Sequence, residues 1–214
     1  MKEYPKIDTL FERDEAFKVT EVLRRPVLAD IAKWIVTEKI DGTNIRVSMV
    51  HGEESINIGG RTDNAQIHAD LVRAIYEQMT PAKMAALFQA ETVPGTRIII
   101  FGEGYGAGIQ KGGAYRQDKG FIAFDVLIEQ GEDAWWQDEA CVTDFAARLG
   151  VPRVPILGEW HLDEIVAQVK RGITSVAAAS PLQAEGIVAK TREPLFDRRG
   201  KRLILKLKTK DFGK

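Results

Sequence analysis

Residues 37–44 of this chain read Thr37-Glu38-Lys39-Ile40-Asp41-Gly42-Thr43-Asn44. They lie between two β-rich runs, residues 35–39 and 45–50, and Asp-Gly between such runs predicts a tight hairpin turn. Side chains alternate across a strand, so Lys39 is expected on the face opposite Glu38. A lysine that ends a strand beside a glycine turn can reach into a cleft, although a solvated lysine at a hairpin fits the same pattern.

A second informative strand is predicted near the end of the chain, in Leu203-Ile204-Leu205-Lys206-Leu207-Lys208. Alternation places the three leucines on one face and both lysines on the other. Lysines in this arrangement are also typical of an edge strand protected against aggregation. Beside a polyphosphate, the same two cations would offset negative charge and stabilise charge that develops in a transition state.

Three carboxylates interrupt apolar or glycine-rich contexts, namely Glu103, Asp125 and Glu185. A carboxylate in such a place must be paired, hydrated or bound to a metal, because burying it alone is costly. Mg²⁺ prefers few carboxylates together with phosphate oxygens and water, so two or three acids around a nucleotide would suffice. Each acid taken singly is better explained as a turn or sheet-edge residue.

The remaining periodicity predicts helices and strands interspersed along the chain. Helices are predicted over residues 65–79, from Thr80-Pro81 onward, and in two segments that end at Gly150 and Gly172. Further strands are predicted over residues 97–101, 121–128 and 187–190. Helices mixed with hairpin signals favour an α+β fold with mostly antiparallel sheets and flanking helices.

Composition excludes several classes of protein. The 214 residues carry a net charge of −1 and one cysteine, Cys141, which cannot form an internal disulfide or a cysteine-rich zinc site. No apolar run approaches the ~20 residues of a membrane span, and the polar N-terminus does not resemble a secretory signal, so we expect a cytoplasmic protein without membrane contact. Residues 190–214 hold ten Lys or Arg and three acids, a local charge of +7 that fits a polyanionic partner and fits a solvated basic surface equally well.

Five segments, in this order, resemble the nucleotidyltransferase motifs of covalent nucleic-acid ligases and mRNA-capping enzymes. They are residues 38–44, Phe101-Gly102-Glu103, Phe124-Asp125, residues 185–190 and Lys206-Leu207-Lys208. The pattern is most similar to the RNA ligase 2-like family, which includes RNA-editing ligases. Asn44 favours that branch, since DNA ligases and capping enzymes more often have arginine there. Tyr4-Pro5-Lys6-Ile7 and residues 110–113 also look like that family.

The resemblance implies a nucleotidyltransferase fold of the ATP-grasp-like ligase adenylylation type. Residues 1–214 would form it as a single domain, with no C-terminal accessory domain. The implied activity is that of an ATP-dependent RNA ligase in RNA repair, with Mg²⁺ or Mn²⁺ as cofactor. Lys39 would attack the α-phosphate of ATP to form lysyl-AMP, AMP would pass to a 5′-phosphate end, and a 3′-hydroxyl would displace AMP to seal the strand.

The same resemblance implies a role for individual residues. The catalytic residues would be Lys39, Glu185, Lys206 and Lys208. The nucleotide would be contacted by Glu38, Ile40, Asn44, Arg61, Glu103, Phe124, Lys206 and Lys208. Phe124 would stack on adenine, Glu38 would read its amino edge, and Glu103 would hold the ribose. Arg61 and Asn44 would contact phosphate, and Glu185 and Asp125 are the implied metal ligands.

Nucleic acid is the implied partner, as RNA ends or nicks and possibly DNA, bound by the basic residues 190–202. An accessory protein is expected to replace the missing C-terminal domain. A small ATP-dependent DNA ligase and a non-catalytic nucleotide- or RNA-binding module stay open as alternatives. A capping guanylyltransferase would prefer GTP, and NAD-dependent ligases carry a cysteine zinc site that one cysteine cannot build.

Overall fold

The computed structural model describes residues 1–110 and 112–213, so Lys111, within the predicted segment 110–113, and Lys214 lie outside the described residues. The chain divides into two compact units. Unit 1 comprises Met1–Tyr4 and Asp41–Arg153, and unit 2 comprises Pro5–Ile40 and Val154–Lys214. The chain therefore passes from unit 2 to unit 1 inside the motif of residues 37–44. The assignment of residues 1–214 to one nucleotidyltransferase domain stays a prediction.

Strands and helices are interspersed along the described residues. The strands are β1 (Asp8–Thr9), β2 (Phe11–Arg13), β3 (Val19–Leu23), β4 (Trp34–Lys39), β5 (Thr43–Val50), β6 (Asn57–Gly59), β7 (Arg97–Tyr105), β8 (Gly120–Gln130), β9 (Asp133–Trp136), β10 (Ile156–Trp160), β11 (Gly186–Lys190) and β12 (Ile204–Lys208). The α-helices are α1 (Ala69–Gln78), α2 (Pro81–Ala85), α3 (Glu139–Leu149) and α4 (Leu162–Arg171). The predicted α+β class with mostly antiparallel sheets is confirmed.

Unit 1 is built on a five-stranded antiparallel sheet in the order β6-β5-β7-β8-β9. On one face, Val47, Ile100 and Val126 stand in register on β5, β7 and β8 and belong to the hydrophobic core. Leu71 and Ile75 of α1 belong to the same core, together with the apolar side of α3. Burial of each such side chain contributes about 1.5–3 kcal/mol. The opposite face of this sheet does not contribute to this core and is available for polar side chains.

In unit 1 the predicted helix start at Thr80-Pro81 and the predicted helix end at Gly150 are confirmed, whereas the helix predicted over residues 65–79 is shorter and spans Ala69–Gln78. Thr80 caps α2 by accepting a hydrogen bond from the Lys83 N–H, and Asp138 caps α3 by accepting one from the Cys141 N–H at 2.8 Å. Gly150 ends α3 with φ +72°, a left-handed conformation that glycine adopts without strain. Cys141 packs against the core, and its burial raises the pKa of its thiol.

Unit 2 contains a second five-stranded sheet in the order β1-β12-β11-β4-β10. All its pairs are antiparallel except β1 with β12. One face carries Val36, Ile187 and Leu207, which pack with Ile165 and Val169 of α4 in the core. β2 and β3 form a separate two-stranded sheet.

The predicted hairpin between residues 35–39 and 45–50 is wrong. β4 pairs with β10 and β11, whereas β5 pairs with β6 and β7, so the Asp41-Gly42 turn connects two different sheets. Gly42 serves a close approach instead, since a Cβ there would lie 2.3 Å from the Gly104 carbonyl oxygen. Strand partners are set by long-range packing, which a local turn signal does not encode.

None of the helices among the described residues has the length and apolar character needed to span a bilayer.

Candidate active site

In unit 2, strand register aligns two of the predicted lysines across the sheet. Gly186 on the central strand β11 faces Lys39 on one side and Lys208 on the other. All three residues stand on the face opposite the hydrophobic core, because their strand neighbours Ile187 and Leu207 belong to that core. A Cβ at Gly186 would lie 2.0 Å from the Leu207 carbonyl oxygen, so close strand approach requires glycine at this point.

Glu185, directly before β11, places its carboxylate between these lysines. Its Oε1 accepts a 2.5 Å hydrogen bond from Lys208 Nζ, and its Oε2 forms a short ion pair with Lys39 Nζ. Burial would raise the pKa of the Glu185 carboxyl, but the Lys39 charge and the hydrogen bonds from both lysines outweigh burial and hold this pKa below its usual range. The Lys39, Glu185 and Lys208 side chains are 22, 16 and 24 % exposed, so solvent still reaches this cluster.

Lys206 stands one rung further along the same face. It faces Val188, which in turn faces Thr37 of β4. The leucines on either side of Lys206 are buried in the core, as the alternating pattern predicts. Lys206 and Lys208 therefore extend the positive charge of Lys39 along one face of the sheet.

Glu38 lies on the opposite face of β4 from Lys39 and is buried. Its carboxylate accepts hydrogen bonds from the Ser175 hydroxyl and from the N–H groups of Val176 and Ala177 at 2.8 and 3.0 Å. The prediction that this carboxylate reads the adenine amino edge therefore has no support in this geometry. Ile40, the next predicted contact, is also buried, and its carbonyl accepts a 3.5 Å hydrogen bond from Lys39 Nζ.

In unit 1, Asn44 on β5 and Glu103 on β7 are direct cross-strand partners. They occupy the face opposite the hydrophobic core. The next cross-strand pair is Ile45 and Gly102, and the Ile45 side chain belongs to that core. Within residues 1–110 and 112–213, the buried Oδ1 of Asn44 receives no hydrogen bond. An orphaned buried acceptor is costly, so this amide has hydrogen-bonding capacity that a ligand could use.

Phe124 and Asp125 lie at a β-bulge in β8. Phe101 pairs with Asp125 and Gly102 with Ala123, so Phe124 is the extra residue. Bulges bend a strand and re-aim side chains, often beside active sites. Here the two consecutive side chains meet the same neighbour, Tyr4.

Tyr4, for which the sequence predicts no role in the site, contacts both of these side chains. Its hydroxyl donates a 2.7 Å hydrogen bond to the fully buried Asp125, and its ring packs edge-on against Phe124 with centroids 5.0 Å apart. The other Asp125 oxygen accepts a 3.2 Å hydrogen bond from the Val126 N–H. Protein donors thus satisfy both oxygens, and the predicted metal-ligand role of Asp125 has no support in this geometry.

Arg61 is exposed in the loop that follows β6, and a second unassigned residue orders that loop. Arg46 is fully buried, and its guanidinium donates to the carbonyls of Gly60 and Met1 at 2.7 and 2.5 Å and to Asp63 at 2.9 Å. The only sequence signal for it was an arginine set between Ile45 and Val47 in an apolar strand.

A protein-only metal centre is absent from the described part of the chain, where no group of three or more His, Cys, Asp or Glu could hold an ion. Glu185 is a single half-buried carboxylate. That donor set fits a cation shared with nucleotide phosphates and water, which is the usual arrangement for Mg²⁺, and does not fit a closed protein cage.

Comparison with known proteins adds a family and a fold. A sequence model described as RNA ligase matches residues 32–208. An apo mutant of Naegleria gruberi RNA ligase is 19 % identical, with a TM-score of 0.66 over 98 % of this chain and 62 % of that one. A mutant of the same enzyme with ATP and Mn is 18 % identical, with a TM-score of 0.66 over 99 % of this chain and 62 % of that one. The enzyme with PPi is 20 % identical, with a TM-score of 0.66 over 99 % of this chain and 63 % of that one. The chain thus spans about three-fifths of the length of these structures.

Proposed function

This chain belongs to the RNA ligase family, and on that premise we propose that it is an ATP-dependent RNA ligase that carries AMP covalently on Lys39. It would join 5′-phosphate and 3′-hydroxyl ends of RNA through an adenylylated 5′ end. The observation that carries the proposal is the cluster of Lys39, Glu185 and Lys208 on one accessible sheet face of unit 2. The single cysteine agrees with a reducing, cytoplasmic setting.

The cluster has the parts that nucleotidyl transfer to an amine requires. Lys39 Nζ is the nucleophile after its ammonium group has released one proton to solvent, which reaches this partly exposed cluster. Its bond to the α-phosphorus forms as the bond from that phosphorus to the pyrophosphate oxygen breaks, pyrophosphate leaves, and the second proton of the attacking nitrogen also passes to solvent. Glu185 orients Lys39 Nζ, since a carboxylate that accepts a hydrogen bond from the attacking amine fixes the position of that amine relative to the phosphate. Lys208 and Lys206 stabilise the negative charge on the phosphate oxygens, which is the main contribution a protein makes to phosphoryl transfer.

The nucleotide assignments in unit 1 have support of their own. Asn44 has spare hydrogen-bonding capacity next to Glu103, which suits contact with phosphate and ribose hydroxyls. Phe124 is set by the bulge and by the Tyr4 ring, as a stacking platform for a base would require. Arg61 offers an exposed guanidinium on a loop that Arg46 holds in place.

A divalent cation is part of the proposal. Naegleria gruberi RNA ligase structures contain ATP with Mn, and AMP with Mn. In this chain Glu185 would bind such a cation together with nucleotide phosphates, and the cation would supply charge neutralisation at those phosphates. Mg²⁺ and Mn²⁺ both suit an oxygen donor set of this kind.

Sealing of nicked duplexes and of free single-stranded RNA ends tests the proposal. Duplexes with RNA or DNA on the 3′-hydroxyl side are incubated with ATP or GTP and Mg²⁺ or Mn²⁺, and we expect sealing with ATP and better sealing of RNA. Equal or better sealing of all-DNA nicks would instead assign a DNA ligase. Nucleotide binding without sealing of any substrate would support a non-catalytic binding module.

A substrate that already carries 5′-AMP shows whether Lys39 acts as the nucleophile or only supports the structure. Lys39→Ala should fail to seal with ATP yet seal a strand that already carries 5′-AMP, because the last step does not use the lysine amine. Lys33→Ala, which removes an exposed lysine of unit 2, should seal both substrates. Sealing by Lys39→Ala with ATP alone would contradict the assignment.

A further inference from the structure

Residues 191–203, which connect β11 to β12, fold back on themselves and are named the basic hairpin here. Phe196 and Arg202 form an antiparallel bridge, and the Leu203 N–H donates a 2.8 Å hydrogen bond to the Leu195 carbonyl. At the tip, the Gly200 N–H donates to the Asp197 carbonyl at 2.9 Å. Gly200 has φ +72°, where glycine is favoured, so the segment makes a defined turn.

Asp197 fixes the tip of the basic hairpin from inside. One of its oxygens accepts hydrogen bonds from the N–H groups of Arg199 and Lys201, both at 2.9 Å. The other accepts a 2.7 Å hydrogen bond from Arg25, whose guanidinium also donates to the Arg202 carbonyl. The Lys201 N–H and these other donors hold the pKa of Asp197 below its usual range, so the acid stays charged and keeps the turn in place.

The tip displays an exposed aromatic ring and two arginines whose charge no acid among the described residues neutralises. Across the described residues, neither Arg198 nor Arg199 forms an ion pair, and both are exposed. By contrast, Arg192 is paired with Glu159 and Lys201 with Asp8. The adjacent Phe196 is 48 % exposed. One exposed apolar side chain is ordinary. An aromatic ring beside two unpaired arginines is the combination of residues with which proteins bind single-stranded nucleic acid.

The basic hairpin also has a direct connection to the candidate active site within unit 2. β11 and β12 run from it to Glu185 and Lys208, a span of roughly 13 Å at the strand rise per residue. Lys206 lies between, on the same sheet face as Lys208. A polyanion that docks on the basic hairpin would therefore meet further positive charge in the direction of Lys39.

We propose that the basic hairpin binds the single-stranded RNA segment next to the end being joined. Phe196 stacks on a base, and Arg198 and Arg199 contact neighbouring phosphates. Base stacking on an aromatic ring tolerates any sequence, and arginine suits phosphate geometry, so the contact positions the strand without reading its sequence. The inference rests on the proposed function, because it names how that function's substrate is held.

Salt-dependent binding tests the inference. The affinity of a short fluorescein-labelled single-stranded RNA is measured by anisotropy over a range of salt concentrations, without ATP. Replacing both Arg198 and Arg199 by alanine should weaken binding and lower the slope of log K against log salt by about 1.4, at ~0.7 per phosphate contact. The double lysine variant at these positions should keep most of that slope. Phe196→Ala should weaken binding about tenfold and Phe196→Tyr should not.

A matched control removes the same charge elsewhere. Lys18→Ala combined with Lys33→Ala deletes two exposed lysines of unit 2 that form no ion pair among the described residues, and it should leave the slope unchanged. If the hairpin variants bound RNA with the same affinity and the same salt slope as this control, the inference would be overturned. The exposed surface would then be assigned as a contact for a protein. Wild-type chain that binds RNA through the hairpin yet forms no AMP adduct would overturn the proposed function and support the hairpin.

Discussion

The ammonium group of Lys39 is paired with the carboxylate of Glu185, a residue 146 positions further along the chain. The pair predicts that Glu185→Gln slows formation of the lysyl-AMP adduct by about 10²-fold, the usual effect of misplacing a reacting group by ~1 Å. Adduct formation is followed over time at saturating ATP. Glu193→Gln, which neutralises an exposed acid of the same unit, serves as control and should behave as wild type. A Glu185→Gln rate equal to that of the control would contradict this role.

The lowered pKa of Glu185 predicts how the stability of the cluster depends on pH. Because the pKa in the folded protein lies below the unfolded value of ~4.3, the ionised carboxylate stabilises the fold from that value up to neutral pH. The contribution is lost as pH falls through the folded pKa. The difference in unfolding free energy between wild type and Glu185→Gln, from urea titrations, should be constant near neutrality and shrink only in acid. A difference that shrinks between pH ~8 and ~6 would contradict the assignment of this titration to Glu185.

Tyr4 and Asp125 yield a prediction that separates a structural acid from a metal ligand. Tyr4→Phe leaves a buried acceptor without its donor and should cost about 1–3 kcal/mol in unfolding free energy. It should also raise the KM for ATP, because the Tyr4 ring sets the position of Phe124. Asp125→Asn keeps an oxygen acceptor but loses the charge. The Mg²⁺ concentration for half-maximal adduct formation should stay unchanged in Asp125→Asn, and a large increase would restore the metal-ligand interpretation.

Glu38 holds residues 175–177 through three hydrogen bonds, so its loss should loosen that segment. We expect Glu38→Ala to speed hydrogen exchange of the Val176 and Ala177 amides, because these N–H groups lose their acceptor. The preference for ATP over GTP in adduct formation should not change. A variant that accepts GTP as well as ATP would instead support the predicted contact with the adenine amino edge.

Local pattern predicted most elements but not how they pair. The alternation of leucine and lysine in residues 203–208 predicts which side chains of the strand face the core. In the structure β12 buries Leu205 and Leu207, and Lys206 and Lys208 share the other face. The Asp41-Gly42 turn carries no information about partner strands. Its two flanking strands joined different sheets, because the pairing energy comes from distant segments.

Several features of the candidate site were beyond the reach of one sequence. Motif resemblance selected Lys39 and Glu185, but only the register of β11 shows why they meet. The bulge at Phe124 depends on one extra residue relative to β7, which alternation within β8 alone does not reveal. Tyr4 acts on Asp125 across 121 positions, a contact that the fold creates.

The claim that Lys39 carries AMP is tested most directly by locating the adduct. The protein is incubated with ATP and Mg²⁺ without RNA, its intact mass is measured, and the modified peptide is sequenced by mass spectrometry. We predict one AMP per chain, linked to Lys39 Nζ by an acid-labile phosphoramidate, absent from Lys39→Arg and retained in Lys33→Arg. An adduct that persists in Lys39→Arg, or that maps to another residue, would contradict the assignment.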